Sequence, residues 1–108
     1  MPLFAPLAVS VEVRSGDERV FRLSRAVADT ALALERPAPF EIGRPVTATF
    51  TLPDDPAGAA LVLRAEVAPS DADGDGEHGG RTLEFIDPPG EAKQAVVRYV
   101  RARLGLRA

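Results

Sequence analysis

The sequence predicts a mainly β fold, a six-stranded antiparallel barrel carrying one C-terminal α-helix. Three observations lead there. Six short runs of strand-like residues, separated by Gly, Pro, Asp and Ser, lie within about residues 8–87. After Pro88-Pro89-Gly90 the apolar period lengthens from two to about four, which predicts a helix over about 91–105. The 108 residues include no cysteine, so the chain reads as one domain, 1–108, stabilised by a core rather than by disulfides. Small β domains avoid exposed strand edges by closing on themselves, which favours a barrel or sandwich with the helix over one end.

The first strand is the clearest. Val9, Val11 and Val13 alternate with Ser10, Glu12 and Arg14, as in a half-buried strand, and Ser15-Gly16-Asp17-Glu18 supplies a turn. Val20 to Val27 is the return strand of a hairpin, with a less regular alternation, and Ala31 to Glu35 is a third short run ended by Arg36-Pro37-Ala38-Pro39. Phe40-Glu41-Ile42-Gly43-Arg44 turns into Val46 to Leu52, where Val46, Ala48, Phe50 and Leu52 share a face. Pro53 to Gly58 is a loop. Leu61 to Val67 follows, with Leu61, Leu63, Ala65 and Val67 on one side and Arg64 and Glu66 on the other. Thr82 to Ile86 is the sixth strand, stopped by Asp87-Pro88. In the helix, Ala92, Val96, Val100 and Leu104 recur every four residues, widened by Ala95 and Tyr99.

Charge narrows the function classes. The net charge is −3, yet the helical stretch holds Lys93, Arg98, Arg101, Arg103 and Arg107 against Glu91 alone. An acid in the first helical turn and bases in the last complement the helix dipole, so the basic tail is read as helix stabilisation rather than as a nucleic-acid surface. Five Phe, one Tyr and no Trp also leave few platforms for stacking bases, so no nucleic-acid partner is expected. The apolar start, Met1 to Leu7, lacks a basic flank and is broken by two prolines, unlike a signal peptide. No apolar run is long enough to span a bilayer. A soluble, cytoplasmic protein without membrane insertion is expected.

No residues assemble into catalytic machinery or a metal site. Asp71-Ala72-Asp73-Gly74-Asp75-Gly76 matches the start of a calcium loop, but its twelfth position is Thr82 where a bidentate Glu is required, and strands replace the flanking helices. His78, the single histidine, lies in the same Asp/Gly-rich loop with no second imidazole or thiolate. Gly79-Gly80 precedes no helix and so cradles no phosphate. Neither an enzyme nor a cofactor is expected.

The order of elements resembles the PilZ domain, a bacterial family of six-stranded barrels with a C-terminal helix that typically receives cyclic di-GMP. The resemblance covers almost the whole chain. It rests on Val9-Ser10-Val11-Glu12-Val13 and its turn, on Ala26 to Leu34, on Phe40-Glu41-Ile42-Gly43-Arg44-Pro45-Val46 leading to Phe50-Thr51-Leu52-Pro53, and on Leu83-Glu84-Phe85-Ile86-Asp87. Two motifs give the family its ligand, Arg-x-x-x-Arg before the first strand and Asp/Asn-x-Ser-x-x-Gly entering the third. Here the arginine positions fall on Pro2 and Pro6, and no arginine precedes Arg14. The second motif falls on Ala26, Ala28 and Ala31.

Cyclic di-GMP presents two phosphates and guanine edges, which arginine grips through charge-assisted, often bidentate hydrogen bonds. Proline and alanine side chains supply none. At about 1.5–3 kcal/mol per charged contact, losing three or four weakens binding by about 5–10 kcal/mol and carries a micromolar site beyond millimolar. The resemblance therefore implies a regulatory adaptor for motility, pilus or envelope signalling that binds a protein partner and not cyclic di-GMP. The alternative is a cyclic di-GMP receptor that uses the non-motif arginines of the first hairpin, Arg14, Arg22 and Arg25, with Arg19 nearby.

Overall fold

Two valines start the core. In β2 (Ser10–Ser15) Val11 and Val13 are completely buried, while Ser10 and Arg14 are exposed. β2 turns through Gly16-Asp17 into β3 (Glu18–Val27), with Ser15 opposite Glu18 and Ser10 opposite Leu23. Gly16 has φ +61°, the left-handed conformation that a two-residue hairpin turn requires at its first central position. The structure is a computed structural model that describes residues 3–53, 58–69 and 81–105.

β4 (Ala31–Leu34), β5 (Pro45–Thr51), β6 (Ala60–Ala68) and β7 (Thr82–Phe85) complete the six strands expected from the sequence. Their order is β3-β2-β5-β6-β7-β4, every pairing is antiparallel, and β4 pairs back onto β3, so the sheet closes into a barrel. The inward faces follow the sequence pattern: Val46, Ala48 and Phe50 from β5, Leu63, Ala65 and Val67 from β6, and Leu83 from β7 are all buried. β3 serves different neighbours along its length. It pairs with β2 up to Leu23 and with β4 from Ser24 onward, and its register shifts between Ser24 and Ala26. A bulge of this kind bends a long strand and allows it to seam a small barrel.

One strand was not expected. β1 (Ala5–Pro6) continues the line of β2 along β3, placing Ala5 opposite Val27 and Pro6 opposite Ala26. Proline has no N–H to give to a ladder, so a two-residue strand containing it carries almost no strand signal in sequence and is found at a sheet margin.

Helix α1 (Gly90–Leu104) ends at Gly105, whose left-handed backbone turns its N–H toward the carbonyls of Arg101 and Ala102. Ala92, Val96, Tyr99 and Val100 are buried in the common core, and the helix packs on β1 and β6. Among the described residues, no helix is long and apolar enough to cross a membrane.

Candidate functional site

The described positions that the family resemblance assigns to the ligand motifs lie around the far end of β3. Pro2 lies outside the described residues. Pro6 stands directly opposite Ala26 across the β1–β3 pair. Ala28 and Ala31 bracket the two-residue turn between β3 and β4, with the Ala28 N–H donating to the Ala31 carbonyl at 2.8 Å. Ala28 is completely buried and Ala31 nearly so. The fold thus brings Pro6, Ala26, Ala28 and Ala31 into one neighbourhood, but their side chains present only methyl and methylene groups.

The amino-terminal segment beside these positions is held by two side chains that sequence reasoning passed over. Ser24, 1% exposed, accepts the Val9 N–H on its hydroxyl at 2.9 Å and donates the same hydroxyl to the Leu7 carbonyl at 2.6 Å. Tyr99 of α1 donates its hydroxyl to the Pro6 carbonyl at 2.7 Å and accepts from Arg103 Nε at 3.1 Å. The Arg103 guanidinium also lies over the Tyr99 ring at 5.5 Å. Pro6 is therefore fixed through its backbone. A polar residue in a sequence-predicted strand and a tyrosine on an apolar helical stripe were the available signals.

The four hairpin arginines do not meet at one pocket. Arg14 is exposed on β2, opposite Arg19 on β3. Arg19 pairs with Glu12 at 3.7 Å and lies 5.9 Å from the Phe21 ring centre. Arg25 is exposed near the register shift, and its carbonyl accepts the Leu7 N–H at 3.1 Å. Arg22 is half-buried and ties β3 to the segment that follows β4: Nε donates to the Pro37 carbonyl at 3.1 Å, while an Nη donates to the carbonyl of its own strand neighbour Phe21 at 3.0 Å.

Arg22 lines an open pocket of about 580 Å³, formed with Phe21, Leu23, Glu35, Arg36 and Pro37. No described residue of the amino-terminal segment contributes to it. It occupies the fork where β3 and the extension of β4 diverge. A further arginine, Arg44, is tied into the barrel by a 2.8 Å bond from Nε to the Ser15 hydroxyl and by stacking over Phe40 at 5.4 Å.

Among the described residues, no group of three His, Cys, Asp or Glu side chains could hold a metal ion. The calcium-like run Asp71 to Gly76 and His78 lie outside the described residues.

The PilZ domain family model matches residues 5–102. Among solved structures, the chain is similar to the Bacillus subtilis inhibitor of motility (MotI/DgrA), with a TM-score of 0.76 and 19% sequence identity. That alignment covers 100% of this chain and 53% of the Bacillus chain, so the present chain spans about half of that protein. It is also similar to the PilZ domain of CeSA from a cellulose-synthesizing bacterium, with a TM-score of 0.63 and 19% identity over 94% of this chain and 95% of that one. At such identities the structural likeness establishes the fold alone. No protein of curated function matches the sequence.

Proposed function

The chain belongs to the PilZ domain family, and on that premise we propose that it is a regulatory adaptor that has lost cyclic di-GMP binding and acts through a protein partner. PilZ domains are regulatory and binding domains rather than enzymes. The observation that carries the reading is the composition of the motif neighbourhood. Where the family motifs call for two arginines, a carboxylate or amide, a hydroxyl and a glycine, this sequence has Pro2, Pro6, Ala26, Ala28 and Ala31. Alanine and proline side chains offer no donor to a phosphate and no acceptor to a guanine edge. The Pro6 carbonyl, which a ligand could otherwise use, is already bonded to Tyr99.

Family membership is the ground for a place in motility, pilus or envelope regulation, and the fold shared with an inhibitor of motility accords with the first of these. The absence of cysteine suits a reducing cytoplasm. Isothermal titration calorimetry of the full chain with cyclic di-GMP tests the reading. No saturable heat up to about millimolar nucleotide is the expected outcome; micromolar binding refutes the adaptor.

A second reading is favoured by one observation, the presence of Arg22 beside Phe21 in the open pocket. Cyclic di-GMP would then be held by Arg22, with Arg14 or Arg25 drawn in by movement or by a second copy. It requires a nucleotide-induced thermal shift that disappears when Arg22 and Arg25 are both replaced by Ala.

A further inference from the structure

From Phe21 to Ser24, β3 inverts the alternation that makes a strand amphipathic. Directly opposed residues project to the same face. Val20 faces the buried Val13, and Arg22 faces the buried Val11, so the inward side of β3 reads Val20, Arg22, Ser24. Phe21 and Leu23 face Glu12 and Ser10 on the outside, where they remain 58% and 46% exposed. Polar residues inside and large apolar residues outside are a local conflict that a fold retains where a surface is used.

The same stretch has an unpaired backbone edge. On the side facing β4, the Leu23 carbonyl accepts the Glu35 N–H at 2.9 Å, and pairing with β4 runs only from Ser24 onward. Alternate residues of an antiparallel strand direct their backbone groups to the same edge. The N–H and C=O of Phe21 and Arg19 therefore face the side of the Leu23 carbonyl, where no described strand meets them. The Phe21 carbonyl accepts Arg22 instead, a charged guard of the kind that keeps edges from pairing indiscriminately. Arg22 spends two of its five N–H donors on the Phe21 and Pro37 carbonyls, leaving three in a guanidinium whose position is already fixed.

The charge around the fork is positive. Arg22 and Arg36 line it with Glu35, Arg19 lies beside Phe21, and the nearby Glu12 is paired with Arg19.

We infer that the fork between β3 and β4 docks an extended acidic peptide of a partner protein, with apolar side chains alternating with carboxylates. The peptide runs along the open edge of β3. Its apolar side chains cover Phe21 and Leu23, its carboxylates meet Arg22 and Arg36, and its backbone N–H replaces Arg22 on the Phe21 carbonyl. Charge complementarity selects this occupant over a second copy, because two such edges brought together would set Arg22 and Arg36 against their equals. The inference rests on the adaptor reading and names its interaction surface.

The test is an NMR titration of the isotope-labelled full chain with a capped peptide of about six residues alternating leucine and glutamate. Glutamine and lysine versions of the same length serve as controls. Saturable shifts at the amides of Phe21, Arg22, Leu23, Glu35 and Arg36 are expected, at least about fivefold weaker affinity for the glutamine peptide, and none for the lysine peptide. Arg36→Glu and Phe21→Ser, both at exposed positions, are expected to abolish the shifts while leaving the remaining spectrum intact. Four results overturn the inference: no saturable shift at millimolar glutamate peptide, equal binding of the lysine peptide, shifts centred elsewhere, or self-association through these residues without peptide. Cyclic di-GMP binding, measured separately, decides the adaptor reading itself. A missing peptide response together with missing nucleotide binding defeats the groove and leaves the adaptor standing.

Discussion

Pro6 and Ala26 are partners across the β1–β3 pair, so a position where the family motif calls for arginine directly faces one that calls for a carboxylate or amide. The two positions that the family resemblance assigns to the ligand motifs are thus neighbours in the fold, and neither side chain carries a polar group. Tyr99 fastens the Pro6 backbone to the C-terminal helix. On the adaptor reading proposed above, this segment serves as part of the structural frame.

Ser24→Ala is expected to lower stability by about 1–3 kcal/mol, because it strips the Val9 N–H and the Leu7 carbonyl of their partner in a buried setting. Urea denaturation measures the loss. A change below about 0.5 kcal/mol would show that Ser24 does not hold the amino-terminal segment.

Tyr99→Phe keeps the buried ring and removes the hydroxyl that bonds Pro6 and Arg103. A loss of about 0.5–1.5 kcal/mol is expected, with faster amide hydrogen exchange confined to residues around Ala5 and Leu7. Exchange that rises equally throughout the barrel would contradict a local fastening.

Gly16→Ala tests the hairpin. A Cβ at Gly16 meets nothing within 4 Å, so the cost is that of a left-handed backbone alone, about 1 kcal/mol. Gly16→Asn, whose side chain tolerates this conformation, is expected to cost less. Thermal melts of the two variants in parallel reveal whether that order holds.

Phe21→Ser is expected to leave stability within about 0.5 kcal/mol of the parent despite removing an aromatic ring, since the ring is 58% exposed. Leu63→Ala, at a completely buried position of β6, is expected to cost about 2–5 kcal/mol. Comparable losses in the two variants would mean that Phe21 belongs to the core and not to a working surface.

What could be read from the sequence follows from these contrasts. β2, β5 and β6 each bury one face and wet the other, so Val11 and Val13, Val46 to Phe50, and Leu63 to Val67 announce themselves by period two. The helix is equally legible from the spacing of Ala92, Val96 and Val100. β3 reads poorly because Arg22 and Ser24 lie inward while Phe21 and Leu23 lie outward, and that irregularity marks the fork.

β1 and its fastenings leave little trace in sequence, since Ser24 and Tyr99 bond backbone carbonyls 17 and 93 residues away. The family pattern alone suggests Pro6, Ala26, Ala28 and Ala31 as the motif positions. The pocket at Arg22 and Arg36 could not be read in this way, because it depends on where two strands part.

The most direct measurement is a titration of the isotope-labelled full chain with cyclic di-GMP, followed at the amides of Ala5, Leu7, Ala26, Ala28 and Ala31. An adaptor that has lost the ligand leaves all of them unmoved up to about millimolar nucleotide. Saturable shifts of these amides at micromolar concentrations would contradict the account.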